Sequence, residues 1–146
     1  MLGGVLEPIV LTYELRCSPS RAFHIYLDRI GEWWDGKYSR DAATLVTVRI
    51  EPHADGRVYA QHLDGEDEWG RVTAYEPGER LAYSSVLAQP PEDPSEITVT
   101  FARAGSDGCA MRFEHGGWHE GNIEHRSKFR EWRTLLDRFT ALANGA

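Results

Sequence analysis

Between residues 45 and 115 the chain offers one short strand pattern after another and no helical pattern between them. The candidate strands are residues 45–51, 57–62, 69–75, 80–87, 96–103 and 109–115. They are separated by Pro52–Gly56, Asp64-Gly65, Glu76-Pro77-Gly78-Glu79, Gln89–Pro94 and Gly105–Gly108. Each separator is a Gly, Pro or Asp cluster of the kind that closes a hairpin. Connections this short cannot carry a parallel crossover, which takes a dozen residues or more, so the strands must pair with their neighbours as an antiparallel meander. A sheet with one apolar face needs a cover. The cover is written at the C-terminal end, where Ile123, Phe129, Trp132, Leu135, Leu136, Phe139 and Leu142 form one apolar stripe among charged residues. This pattern predicts a long helix from Gly121 or Asn122 to a stop at Asn144-Gly145.

Upstream, Ile9, Leu11, Tyr13 and Leu15 alternate with polar or exposed-type residues and predict a first strand. Ser18-Pro19 then supplies a hydroxyl cap with proline in the first turn of a helix. Ala22, Phe23, Tyr26, Leu27 and Ile30 mark its buried face, and Gly31 its expected end. Trp33-Trp34 opens a second short helix or loop. The order is strand, two short helices, six strands and one long helix, an α+β domain with a curved sheet of about seven strands.

The 146 residues fit one domain, 1–146. A net charge of -7 argues against nucleic acid or an anionic membrane as partner. No apolar run approaches the roughly 18 residues of a membrane span. The opening Met1–Leu11 has no basic leader and is broken by Glu7-Pro8, so it is not a signal peptide, and a cytoplasmic protein is expected. Cys17 and Cys109 suit neither a metal site nor a disulfide framework and are expected as buried thiols. No phosphate loop, dinucleotide fingerprint or nucleophile elbow is present, and no cofactor is expected. Two features stand out. Nearly all basic residues are arginine, with Lys37 and Lys128 the sole lysines, and there are five tryptophans.

The element order, with specific residues along nearly the whole chain, resembles the START-like (SRPBCC) helix-grip superfamily. Within it, the chain is similar to the activator of heat-shock-protein-90 ATPase homologue-like domains. The resemblance rests on Ser18-Pro19-Ser20-Arg21-Ala22-Phe23, Trp33-Trp34, Asp55-Gly56-Arg57-Val58-Tyr59, Asp64-Gly65-Glu66 and Gly70-Arg71-Val72. It continues through Tyr75-Glu76-Pro77, Arg80-Leu81-Ala82-Tyr83-Ser84, residues 96–101, residues 112–118 and residues 132–139.

The resemblance implies a cavity between sheet and C-terminal helix that takes a small hydrophobic or amphipathic molecule. Strand parity puts Leu81, Tyr83, Val99, Phe101, Met111, Phe113 and His115 on its sheet wall. Trp118, Phe129, Trp132 and Leu136 are expected from the helix side, Trp34 from the short helices, and Trp33, Trp69 and His119 at the rim. Two outcomes stay open: a ligand site, or rings that fill the space themselves. An alternative is a polyketide cyclase or aromatase-like enzyme in which His115, His119 or Tyr83 moves protons. Another is a co-chaperone-like domain that stimulates a chaperone ATPase. His115 and His119 are not expected to hold a metal, because Gly116-Gly117 breaks a helix between them. Asp64, Glu66, Asp67 and Glu68 read as a solvated hairpin tip, and Arg112 with Glu114 as a solvent-facing ladder. A homodimer is an open possibility.

Overall fold

The computed structural model describes residues 7–145. The apolar opening weighed above as a signal peptide therefore lies mostly outside the described residues. The predicted first strand forms as β1 (Ile9–Leu15), followed by helices α1 (Pro19–Asp28) and α2 (Ile30–Trp33). Strands β2 (Leu45–Ile50), β3 (Arg57–His62), β4 (Gly65–Glu76), β5 (Arg80–Ser85), β6 (Ser95–Ala104) and β7 (Gly108–Gly116) come next. Helix α3 (Trp132–Gly145) ends the described chain.

The strands make one seven-stranded sheet in the order β1-β7-β6-β5-β4-β3-β2, every pair antiparallel. Register shifts between Leu45 and Thr47, Val58 and Tyr59, and Val72 and Ala74 concentrate at the β2–β4 end. Each extra residue bends its strand and raises the twist, so this end curls toward the helices. Along β6, Ser95, Ile97, Val99 and Phe101 are buried while Glu96, Thr98 and Thr100 are not. Along β7, Cys109, Met111, Phe113 and His115 do the same. The buried series of both strands faces α3, whose Trp132, Leu135, Leu136, Phe139 and Ala143 close the core. The result is an α+β helix-grip fold.

Three expectations shift. Strand β4 begins at Gly65 and not near Trp69, because Glu66, Asp67 and Glu68 pair with Gln61, Ala60 and Tyr59 of β3. Glu66, Asp67 and Glu68 are thus strand residues while Asp64 stays in the turn, and all four form ion pairs at the surface: Asp64 and Asp67 with Arg40, Glu66 with Arg57, Glu68 with Arg71. Helix α1 stops at Asp28, and Gly31 sits inside α2. A β-carbon on Gly31 would overlap the Thr47 hydroxyl, so glycine lets α2 lie directly on β2. Helix α3 starts ten residues later than the apolar stripe suggested. Residues Ile123–Phe129 form 3-10 turns instead. Ile123 and Phe129 are six apart, too far to give this stretch a continuous buried face. The side chain of Asn122, fully buried, is spent on the loop: it accepts from His119 N and donates to the carbonyls of Asp93, Pro94 and Gly117. Arg112 and Glu114 do form an exposed ion pair, at 2.7 Å, but along β7 and not across strands.

Gly70 marks the tightest point of the curl. A β-carbon there would overlap the carbonyl oxygen of Ser84 on the neighbouring strand, where only backbone could move aside. Gly70→Ala is expected to destabilise the protein by about 2–3 kcal/mol. Urea denaturation checks this, and an unchanged midpoint would mean that the β4–β5 pair has slack.

Candidate functional site

His115 lies near the end of β7, is fully buried, and points to the concave face. Its Nδ1 accepts the indole N–H of Trp132 at 3.0 Å, and its Nε2 lies 2.6 Å from the Ser95 hydroxyl. An indole nitrogen can only donate, so Nδ1 is unprotonated and the ring proton sits on Nε2, donating to Ser95. Gln89 Nε2 also donates to that hydroxyl, at 2.7 Å. The rings of Phe129 and Trp118 close over the imidazole at 4.5 and 4.7 Å between centroids. Burial, aided by the nearby Arg126 charge, pushes the imidazole pKa down to about 3. Both nitrogens are engaged, and the ring is neutral at ordinary pH. It joins β6, β7 and the start of α3, and has no free nitrogen for proton transfer.

The other residues expected to line an interior cavity are instead its filling. Leu81, Val99, Phe113 and Leu136 are fully buried, Met111 is 1% exposed and Phe101 5%. Tyr83 shares a 2.7 Å hydroxyl–hydroxyl hydrogen bond with Tyr26, and burial pushes both phenols up. Trp33 is a correction: expected at the rim, it is 1% exposed, packed against Tyr26, Trp34 and Phe139. The backbone carbonyl of Trp33 accepts from Arg138 of α3, which holds α2 onto that helix. Trp69 is likewise buried, 5.1 Å from the Trp34 ring. Trp118 donates to the His115 carbonyl. His119 lies outside this cluster, its side chain half exposed, with Nδ1 accepting from Gly121 N and Nε2 3.7 Å from Asp93. Among the described residues, the space between sheet and helix bounded by residues including Trp34, Trp69, Tyr83, Ile97 and Trp132 has a volume of about 10 Å³. That is the room of one water at most.

Open space occurs at the end of the molecule, where α3 begins. A cavity of about 210 Å³ lies between the segment after α2 (Trp34, Lys37, Tyr38, Ser39), the β5–β6 loop (Leu87, Ala88) and residues 128–135. Phe129, Trp132 and Leu135 supply its apolar wall from the last of these. Trp34, Phe129 and Trp132 were expected at a site. Lys37, Tyr38, Leu87, Lys128, Glu131 and Leu135 were not, and the one sequence signal for them was the rarity of lysine. Tyr38 donates its hydroxyl to the Glu131 carboxylate, which pushes the phenol pKa up. Lys128 Nζ donates to the Ala88 carbonyl at 2.7 Å, and Lys37 Nζ lies 5.1 Å from the centre of the Tyr38 ring. The buried indole N–H of Trp34 has no hydrogen-bond partner among the described residues.

Larger hollows of about 520 and 540 Å³ lie elsewhere on the surface. The first is walled largely by polar groups, among them Asp28, Arg29, Glu32, Arg49 and Glu51; the second adjoins the smaller cavity, sharing Phe129 and Trp132 with it, and adds Arg126, Arg130 and Arg133 beside Ile9 and Leu11. Small-molecule sites are mostly apolar with a few placed polar groups, and the smaller cavity fits that description better. Among the described residues no group of three or more His, Cys, Asp or Glu is placed to hold a metal ion. Cys17 and Cys109 are buried free thiols, their pKa values raised by burial. No described helix is long and apolar enough to cross a membrane.

Comparison with known proteins adds a family. Residues 16–144 match the family described as Activator of Hsp90 ATPase homolog 1-like protein. Among solved structures, a protein from Mesorhizobium loti is 18% identical, with a TM-score of 0.69 over 92% of this chain and 95% of that one. An anthrahydroquino-gamma-pyrone synthase is 24% identical, with a TM-score of 0.64 over 93% and 96%. The solution structure of an Aha1 dimer from Colwellia psychrerythraea is 16% identical, with a TM-score of 0.68 over 94% and 96%. At these identities the likeness is one of fold. No curated protein matches the chain.

The buried His115 gives stability a definite pH dependence. Its folded pKa, about 3, lies below the ordinary 6.5, so between those values the unfolded chain binds a proton that the folded one does not. Stability contributed by the neutral ring is complete above that window and falls as the pH drops through it, by roughly 3 kcal/mol near pH 4. His115→Gln removes the titration while keeping a polar side chain. Urea midpoints at neutral and acid pH should converge in the variant relative to the unmodified protein; parallel curves would show that His115 does not titrate on unfolding.

Proposed function

The chain belongs to the Activator of Hsp90 ATPase homolog 1-like family, and from that premise we propose that it binds a small amphipathic molecule in the cavity at the start of α3. The observation that carries this reading is the contrast between two spaces. The interior behind Trp34 and Trp132 is filled to about 10 Å³, whereas about 210 Å³ outside the same two rings is open and walled by Leu87, Phe129 and Leu135. An apolar cavity of about 150 Å³ is enough to take benzene. The space here suits one ring or short chain together with a polar end that reaches the mouth.

The synthase among the similar structures supports a second reading, a proton-transfer enzyme of the cyclase sort. His115, His119 and Tyr83, the residues first considered for that chemistry, are absent from the cavity wall. Tyr38 and Glu131 are present in it, and their hydroxyl–carboxylate contact is the group such an enzyme would use. Stimulation of a chaperone ATPase rests on the family description and on similar structures such as an Hsp90 activator from Plasmodium falciparum. No residue of the cavity argues for it.

Naphthamide, an uncharged aromatic amphiphile, tests the binding reading through the fluorescence of Trp34 and Trp132. Saturable quenching is expected, with a Kd of about 1 mM or somewhat below for a ligand of this size. Leu87→Trp should fill the cavity and abolish the quenching while leaving the urea midpoint nearly unchanged, since Leu87 is only half-buried. Absence of binding to the unmodified protein, or equal binding by the variant, would refute the site.

A further inference from the structure

We propose that the natural occupant of this cavity is an anion: a small carboxylate with one ring or a short chain on Trp34, Phe129 and Trp132, and its charge held between Lys37 and Lys128. This deepens the binding reading and rests on it. The chain carries 16 lysines and arginines, of which lysine supplies two, and both lysines line this one cavity. Most arginines near the sheet are spent on carboxylates, as Arg29, Arg40, Arg57, Arg71, Arg80 and Arg112 show. Among the described residues neither lysine forms an ion pair. Lys128 Nζ rests on the Ala88 carbonyl, and Lys37 Nζ lies near the Tyr38 ring. A lysine has three donors on a flexible stem, so each can keep its present contact and still turn a hydrogen toward a guest.

One further feature favours negative charge at the same place. Helix α3 begins at Trp132, and Glu131, Trp132 and Leu135 all line the cavity, so the positive end of a fourteen-residue helix faces it. The opposing charges are few. Glu131 is engaged by the Tyr38 hydroxyl, and Asp35 beside Lys37 accepts from that residue's backbone N–H. Two lysines and one carboxylate, Glu131, line the cavity, and Asp35 beside Lys37 brings the surroundings close to neutral, so a guest with one negative charge is better matched than a doubly charged phosphate. In a chain of net charge -7 both lysines sit where an apolar wall is already exposed.

Naphthoate and naphthamide have nearly the same shape and differ in charge, so their affinities separate the charge proposal from the cavity itself. The unmodified protein should bind naphthoate about tenfold more tightly than naphthamide, the margin of a charge-assisted hydrogen bond. In Lys37→Gln/Lys128→Gln that ratio should fall to about twofold or less, and raising the ionic strength should narrow it in the unmodified protein. Both lysines are exposed, so the variant is expected to keep its urea midpoint, which serves as the folding control. Equal affinity for the two probes in the unmodified protein overturns the anion proposal and leaves the cavity reading standing. A ratio that survives the double substitution overturns the assignment to these lysines. Failure of both probes to bind overturns the two readings together.

Discussion

A single buried hydrogen bond, from the indole of Trp132 to Nδ1 of His115, ties the sheet to the helix that covers it. Both partners lose water on folding, and such groups are tolerated only when every donor and acceptor is matched. For the two rings they are: the imidazole accepts from the indole on one side and donates to Ser95 on the other, and Gln89 Nε2 donates to the same hydroxyl, while the Gln89 amide oxygen has no partner among the described residues. Breaking either partner would leave a polar atom stranded among Phe113, Trp118 and Phe129. The bond also decides where α3 starts, because Trp132 is its first residue. It decides which face of that indole becomes interior and which becomes cavity wall. The same ring closes the sheet–helix core and floors the open space outside it.

The aromatic surplus of this chain follows from that arrangement. Trp34 stacks between Trp69 and Trp132, with Trp33 beside it and Tyr26 beyond, so rings occupy volume that smaller side chains would leave open. Interiors pack to crystal-like density, and these residues achieve it with large planar pieces. The open volume is displaced to the end of the barrel-like curl, where the 3-10 turns of Ile123–Phe129 and the β5–β6 loop cannot be filled from the sheet. Displacement also changes its chemistry. An interior cavity would have met hydrocarbon and the neutral His115, whereas the cavity at the mouth meets lysines, a tyrosine and a glutamate.

Surface charge shows a related division. The four acidic residues of the β3–β4 hairpin are paired with three arginines, Asp64 and Asp67 sharing Arg40, Glu66 with Arg57 and Glu68 with Arg71. These exposed pairs are screened by solvent and contribute little to stability. Residues 126–133 are different, holding Arg126, Lys128, Arg130 and Arg133 against Glu131. The segment carries positive charge along the flank of the cavity in a protein whose total is negative.

Much of the fold was written locally. Period-two alternation and Gly, Pro or Asp turns are properties of neighbouring residues, which is why β1, β3, β6 and β7 lie within a residue or so of their expected places. The start of α3 was not local, since Asn122 serves two carbonyls of the distant β5–β6 loop and the helix begins with Trp132, which reaches His115. Nor was Trp33 legible as core, because a doublet of tryptophans beside a turn looks the same whether Tyr26 and Phe139 are there to receive it or not. By itself the sequence determined an α+β helix-grip chain with a heavy aromatic face and two isolated lysines. Tertiary structure decided that the rings fill the interior and that both lysines meet at one open cavity. Residues 34–39, 87–88 and 128–135 wall that space together. Segments so far apart in the chain share no local pattern; only the closing of the sheet on α3 brings them to one place.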